Sequence, residues 1–138
     1  MELVFVYGTL KRGFSNHGIL ENSKYLGTTE TVSHSFMMYP LFGSFPGVTI
    51  CLVDGFAIMG ELYEVDSQTL NELDKLENNG KFYTRRLVSV YRKPGETVKA
   101  WMYLLPYNDK IIENNIVYRL DRYVYTNSSL NTQEWFKD

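Results

Sequence analysis

Leu3-Val4-Phe5-Val6-Tyr7-Gly8-Thr9-Leu10-Lys11-Arg12-Gly13 is the stretch that decides the fold. Its first five side chains are apolar or aromatic and read as a buried strand. The run stops at Gly8, small polar Thr9 follows, and a second glycine stands at Gly13. Such a junction can turn backbone N–H groups outward, and Gly8 has no side chain to block an incoming group. Outward N–H groups make a seat for a carboxylate or an oxyanion. An ordinary strand–turn connection is built from the same residue types, so the loop alone does not define a site.

Outward from this strand the chain alternates short extended runs with turn signals. Ser15 or Asn16 can cap a short helix through Leu20 and Glu21. Residues 25–31 and 32–39 look extended, Pro40 ends that stretch, and Gly43–Gly47 reads as a loop. Val48–Val53 is a short apolar strand, Asp54-Gly55 a turn, and Phe56–Val65 a further strand. Gly60 within it suggests a bulge or a close backbone approach. Asp66–Glu77 is the clearest helix: Asp66 is a good N-cap, Val65 and Leu70 form a hydrophobic staple, and Asn78-Asn79-Gly80 stops it. Phe82–Tyr91 and Val98–Leu105 read as strands around a turn at Lys93–Glu96. Residues 116–125 fit a helix or a strand, and 127–138 read as a tail.

Many strands and few helices without a βαβ rhythm predict an α+β fold with a mixed or antiparallel barrel-like sheet. The 138 residues are the usual size of a single domain, 1–138, with 106–138 carrying no assignable pattern. The 44% hydrophobic and 15% aromatic content supports a real core, and the 11 tyrosines and 8 phenylalanines favour sheet. A net charge of −2 argues against a nucleic-acid or anionic-membrane partner. The lone cysteine, Cys51, excludes an internal disulfide and any multi-cysteine zinc site. Its apolar neighbours predict a small buried core residue, in keeping with a reducing, cytoplasmic location. Neither a signal-peptide pattern nor a run of 18 apolar residues occurs. The sequence does not specify an oligomeric state.

Glu77 stands out on the helix. With about 100° per residue, Glu77 lies roughly 20° from Leu70 and shares a face with Leu73 and Leu76. A carboxylate on an inward face is paired with a base, drawn out at the frayed helix end, or functional. Arg85 and Arg86 are the available bases. Partial burial and the negative end of the helix dipole both raise a carboxyl pKa, which suits acid–base work near neutrality.

Phe5–Gly13 followed by Asn16-His17, Gly60–Asp66, Leu73–Glu77 with Phe82–Arg86, and Ala100–Tyr103 together resemble the gamma-glutamylcyclotransferase-like superfamily. Within it they resemble the gamma-glutamylamine cyclotransferase branch most closely. The resemblance runs from the N-terminus to about Leu105. It implies a small β-barrel with flanking helices, a pocket at the barrel's end, a substrate-binding loop at Tyr7, Gly8, Thr9 and Leu10, and a catalytic glutamate at Glu77. Tyr83, six residues beyond Glu77, is implied to shape the pocket. The implied substrate is a small gamma-glutamyl compound whose α-amine attacks its own γ-carbonyl, giving 5-oxoproline and a free amine such as lysine. Glu77 would move the protons, and no metal, nucleotide or other cofactor is required. A cyclotransferase for gamma-glutamyl amino acids or glutathione, and a non-catalytic module binding the same small ligands, share these features.

Other residues have blander readings. Thr9 lacks an adjacent base to make it a nucleophile. His17 and His34 are too few for a metal site without carboxylate help. His17 fits a pocket rim or a surface position at a helix start. Lys11-Arg12 reads as a solvated pair at a turn. Gly8–Gly13 lacks the Gly-Lys-Ser/Thr of a phosphate loop. Trp101, Tyr103 and Tyr107 read as core or pocket wall rather than a platform for single-stranded nucleic acid.

Overall fold

The structure, a computed structural model, describes residues 1–41, 45–106 and 124–136. Strand β1 (Glu2–Val6) lies between two partners. It pairs antiparallel with β5 (Ala57–Val65) and parallel with β7 (Glu96–Leu104). This central position explains the unbroken apolar run. Phe5 and Tyr7 enter one core cluster, while Val4, Val6 and Leu10 enter another on the opposite face. A strand with both faces buried shows no polar alternation.

The remaining strands extend and curl this sheet. β6 (Thr84–Lys93) pairs with β7, β2 (Lys24–Glu30) with β5, and β9 (Thr132–Trp135) with the start of β5. β8 (Val124–Asn127) completes an outer hairpin with β9. The far end of β2 then reaches β6: Thr31 bridges Val90, and the Val32 N–H donates to the Ser89 carbonyl at 2.9 Å. The result is a mixed, curled half-barrel with one α-helix, α1 (Ser67–Leu76), among the described residues. A short 3-10 turn spans His17–Leu20. No described helix is long and apolar enough to cross a membrane.

Helix α1 follows its local signals. The Asp66 side chain accepts from the Thr69 N–H at 2.7 Å, and Val65, Leu70 and Leu73 are buried together. Asn78 adopts φ 52° and ends the helix, with Gly80 at φ 89° behind it. Leu76, expected on the buried face, is 41% exposed instead. It is the last residue of the helix. Gly60 is a close approach, since a Cβ there would lie 2.3 Å from the Val6 carbonyl oxygen. Where β2 pairs with β5 the register irregularity falls in β2, between Tyr25 and Gly27, and a second falls in β6, between Tyr91 and Lys93.

Several expectations need correction. Pro40 does not end its strand, and of the loop expected at Gly43–Gly47 the described residues, 45–47, are strand. β3 (Phe36–Leu41) and β4 (Phe45–Ile50) form a separate hairpin in which Pro40 faces Pro46. A two-stranded hairpin has open edges, so prolines that donate no hydrogen bond are tolerated. Residues 32–35 precede β3 rather than belonging to it, and the strand expected through Val53 stops at Ile50. Leu52 and Val53 are exposed, and Cys51 is only partly buried, its thiol donating to the Val53 carbonyl. The expected tail is β9 and the end of β8, with Trp135 fully buried in the barrel core. Val124 and Tyr125 are strand; the rest of the 116–125 segment lies outside the described residues, as does Tyr107.

Candidate active site

The turn after β1 is fixed by its own hydrogen bonds. The Lys11 N–H donates to the Gly8 carbonyl at 3.0 Å and the Asn16 N–H to the Thr9 carbonyl at 2.8 Å. The Asn16 side-chain amide donates to the Thr9 hydroxyl at 2.9 Å. These bonds use the loop's carbonyls. The N–H groups of Gly8, Thr9 and Leu10 make no hydrogen bond among the described residues. Gly8 is required by packing, since a Cβ there would lie 2.4 Å from Pro46 Cγ.

This loop forms one wall of a cavity of about 400 Å³. The start of β4 (Phe45, Pro46), the end of α1 (Leu76, Glu77, Asn78) and the run into β6 (Phe82, Tyr83) form the others. Tyr7, Gly8, Thr9, Leu10, Glu77 and Tyr83 all line it. Tyr103, read from sequence as core or pocket wall, lines it too, and so do Asn16, Phe45, Pro46 and Phe82, which were not singled out as site residues. Asn16 carries a readable signal, its position just after the loop. Phe45 and Pro46 arrive from a hairpin with no motif of its own.

Glu77 is the only charged side chain lining the cavity among the described residues. Its backbone is held on both sides: its N–H donates to the Leu73 carbonyl at 2.9 Å, and its carbonyl accepts from the Tyr83 N–H at 3.3 Å. Its carboxyl group has no hydrogen-bond or ion-pair partner among the described residues. Arg85, a suggested base, pairs with Asp74 instead, its Nε 2.9 Å from Oδ1. Burial pushes the Glu77 carboxyl up to about 7. Burial raises Tyr7, Tyr83 and Tyr103 above the ordinary phenol range, and Glu77 adds to it, behind Tyr83 at Tyr7 and behind Asp74 at Tyr103.

The pocket's tyrosine hydroxyls are committed to the framework. Tyr7 donates to the Tyr103 carbonyl at 2.7 Å, Tyr83 to the Pro46 carbonyl at 2.7 Å, and Tyr103 to Asp74 Oδ1 at 2.7 Å. The donors left unused on the cavity-lining loop are main-chain amides, and the acid–base group is one half-buried carboxyl. Such a pair can hold an anionic group and move a proton beside it.

Lys11 is not the solvated residue its sequence context suggests. It is 6% exposed, its ammonium donates to the Trp135 carbonyl at 2.5 Å, and it sits 4.7 Å over the Phe14 ring. Arg12 is exposed, and its guanidinium stacks at 4.0 Å on Tyr25. His17 holds the Leu10 carbonyl at 3.0 Å through Nδ1 from behind the loop and is not part of the cavity wall.

Residues 4–129 match the family model described as Gamma-glutamyl cyclotransferase, AIG2-like. The chain belongs to this family. It is a cyclotransferase-type enzyme. A Methanocaldococcus jannaschii protein provisionally named a gamma-glutamylcyclotransferase is 38% identical, over 77% of this chain and 86% of its own length. Mouse gamma-glutamylaminecyclotransferase is 32% identical over 75% of this chain and 77% of its own. The crystal structure of a mouse AIG2-like protein superposes with a TM-score of 0.72 at 31% identity, covering 81% of this chain and 82% of that one. The family assignment agrees with the half-barrel and with the expected fold class.

Proposed function

We propose that this chain is a gamma-glutamylamine cyclotransferase that releases 5-oxoproline and a free amine, with Glu77 as general acid and base. The observation that carries the reading is the meeting, in one cavity, of an unpaired half-buried carboxyl and a loop with unused N–H groups. The family supports action on small gamma-glutamyl substrates. The amine leaving group is supported by the likeness to the mouse gamma-glutamylaminecyclotransferase.

In this mechanism the N–H groups around Gly8, Thr9 and Leu10 receive the substrate's α-carboxylate. The chain of the glutamyl group folds so that its α-nitrogen approaches its own γ-carbonyl. Holding both reactants of an intramolecular step in this conformer supplies a large share of the acceleration. Glu77 takes a proton from the α-ammonium, freeing its lone pair. The nitrogen attacks the γ-carbon and a five-membered ring closes. Glu77 returns its proton to the departing nitrogen as the γ-amide C–N bond breaks, and the ring nitrogen's remaining extra proton passes to the released amine, which leaves as an ammonium. A carboxyl near 7 is ionised enough to accept the first proton and basic enough to carry it to the second site.

The test is 5-oxoproline release from gamma-glutamyl-ε-lysine, with gamma-glutamyl-alanine and glutathione alongside. Release from the lysine compound, lost in a folded Glu77→Gln variant, is the expected result. Release from the other two alone would keep the chemistry and replace the leaving group. Full turnover by folded Glu77→Gln would remove Glu77 from the mechanism.

A further inference from the structure

Tyr103 touches both sides of the cavity. Its main-chain carbonyl accepts from the Tyr7 hydroxyl, at the root of the Gly8–Leu10 loop. Its own hydroxyl donates to Asp74 Oδ1 at 2.7 Å, one helical turn before Glu77. Asp74 is held in turn by Arg85, whose Nε lies 2.9 Å from Oδ1 and 3.2 Å from Oδ2. The Arg85 N–H donates to Asn79 Oδ1 at 3.0 Å, and the Asn79 N–H to the Asp74 carbonyl at 2.8 Å. The guanidinium packs 4.2 Å from the Trp101 ring, whose Nε1–H donates to Glu2 at 2.9 Å. Asp74 and Arg85 thus close the neck of the segment that presents Glu77 and Tyr83 to the cavity. Tyr103 ties that neck to β7 and, through Tyr7, to the opposite wall.

We propose that Tyr103 is a positioning residue, with Asp74 and Arg85 fixing its hydroxyl, and that it sets where the Glu77 carboxyl sits relative to the Gly8–Leu10 amides. The chemistry requires such a device. The carboxyl must reach the α-nitrogen while the loop holds the α-carboxylate, and a misplacement of about 1 Å costs up to about 100-fold in rate. No side chain grips the Glu77 carboxyl among the described residues, so its position is inherited from the helix end. Helix ends fray unless tied. Bonds reaching the helix end from β7 and from the root of β6 are the available ties. The titratable groups that the carboxyl faces are Tyr7 at the end of β1, Tyr83 before β6 and Tyr103 on β7.

Two variants test this. Tyr103→Phe keeps the ring and the carbonyl that receives Tyr7 and loses only the bond to Asp74. Asp74→Asn keeps an acceptor for Tyr103 and loses the charge that holds Arg85. Carbon-detected NMR titration of the Glu77 side-chain carboxyl reads its environment directly, without turnover. In the native chain the expected midpoint is about 7. In both folded variants it is expected to fall towards the ordinary carboxylate range as the freed helix end admits water, while exposed Tyr91→Phe leaves it in place. On the substrate the native chain cyclises, kcat is expected to fall by about 10- to 100-fold with KM nearly unchanged. The double variant should be no worse than the more damaged single one. An unmoved midpoint in both folded variants overturns the proposal, as does native kcat in Tyr103→Phe. The kinetic arm rests on the cyclotransferase reading. If the native chain cyclises none of the three substrates, that reading fails and the titration alone still decides the positioning role.

Discussion

Glu77 holds its proton more tightly when folded than when unfolded, because burial lifts its carboxyl from about 4.5 to about 7. Between those values the folded state binds more protons, so this residue's contribution to stability falls as pH rises. Glu77→Gln removes the ionisable group. It is expected to stabilise the fold by on the order of 1–3 kcal/mol near pH 8 and by less near pH 5. Thermal melts at the two pH values measure the difference, and an equal effect at both would mean the carboxyl is not desolvated. In the native chain, kcat/KM should rise with pH through about 7 as the base form appears. At Gly8 the constraint is steric. Gly8→Ala drives a methyl against Pro46, whose carbonyl also holds Tyr83. The variant is expected to lose about 1–3 kcal/mol and most of its activity, measured by denaturant unfolding and 5-oxoproline release. Both positions were legible in sequence: a carboxylate on an apolar helix face, and a glycine at the mouth of a buried strand. The ties around them were not. Tyr103 reads as one more aromatic in an alternating strand, and only the fold brings its hydroxyl to Asp74, 29 positions away.

Helix α1 was readable because each of its signals is local: a cap, a staple and an Asn-Asn-Gly stop within 16 residues (65–80). The Asp66 carboxylate accepts hydrogen bonds from Thr69, which hold its pKa below the usual range. Its capping contribution is therefore present above that range and is lost as pH falls through it. Asp66→Ala should lower the melting temperature at neutral pH, and the gap to the native chain should narrow as the solution is acidified. The β8–β9 hairpin was not readable. Each strand has four residues, too few for a period to stand out, and the turn residue Asn131 reaches φ 51° without a glycine to mark it. The β3–β4 hairpin was misjudged at its prolines because nothing local says that its edges are open.

Across the whole molecule, the curl of the sheet brings distant segments against the same cavity. Trp135 fills the barrel core from β9, with no exposed surface. Trp135→Ala is expected to cost about 3–5 kcal/mol and to cut turnover, because Lys11 beside the Gly8–Leu10 loop is anchored to that strand. Equilibrium unfolding monitored by far-UV circular dichroism, together with the release assay, separates the two effects. A loss in stability below about 1 kcal/mol would mean the hairpin is peripheral.

The Lys11 ammonium and the Trp135 carbonyl are 124 positions apart. A ribosome making this chain places the loop and its glutamate early, yet the ammonium under that loop has no acceptor until the last strand has emerged. A nascent chain stalled before Thr132 carries every residue of the proposed chemistry, its loop held by local bonds but without the tie from Lys11 to β9. The last tie beneath the loop therefore dates from the arrival of β9 rather than from synthesis of the motif.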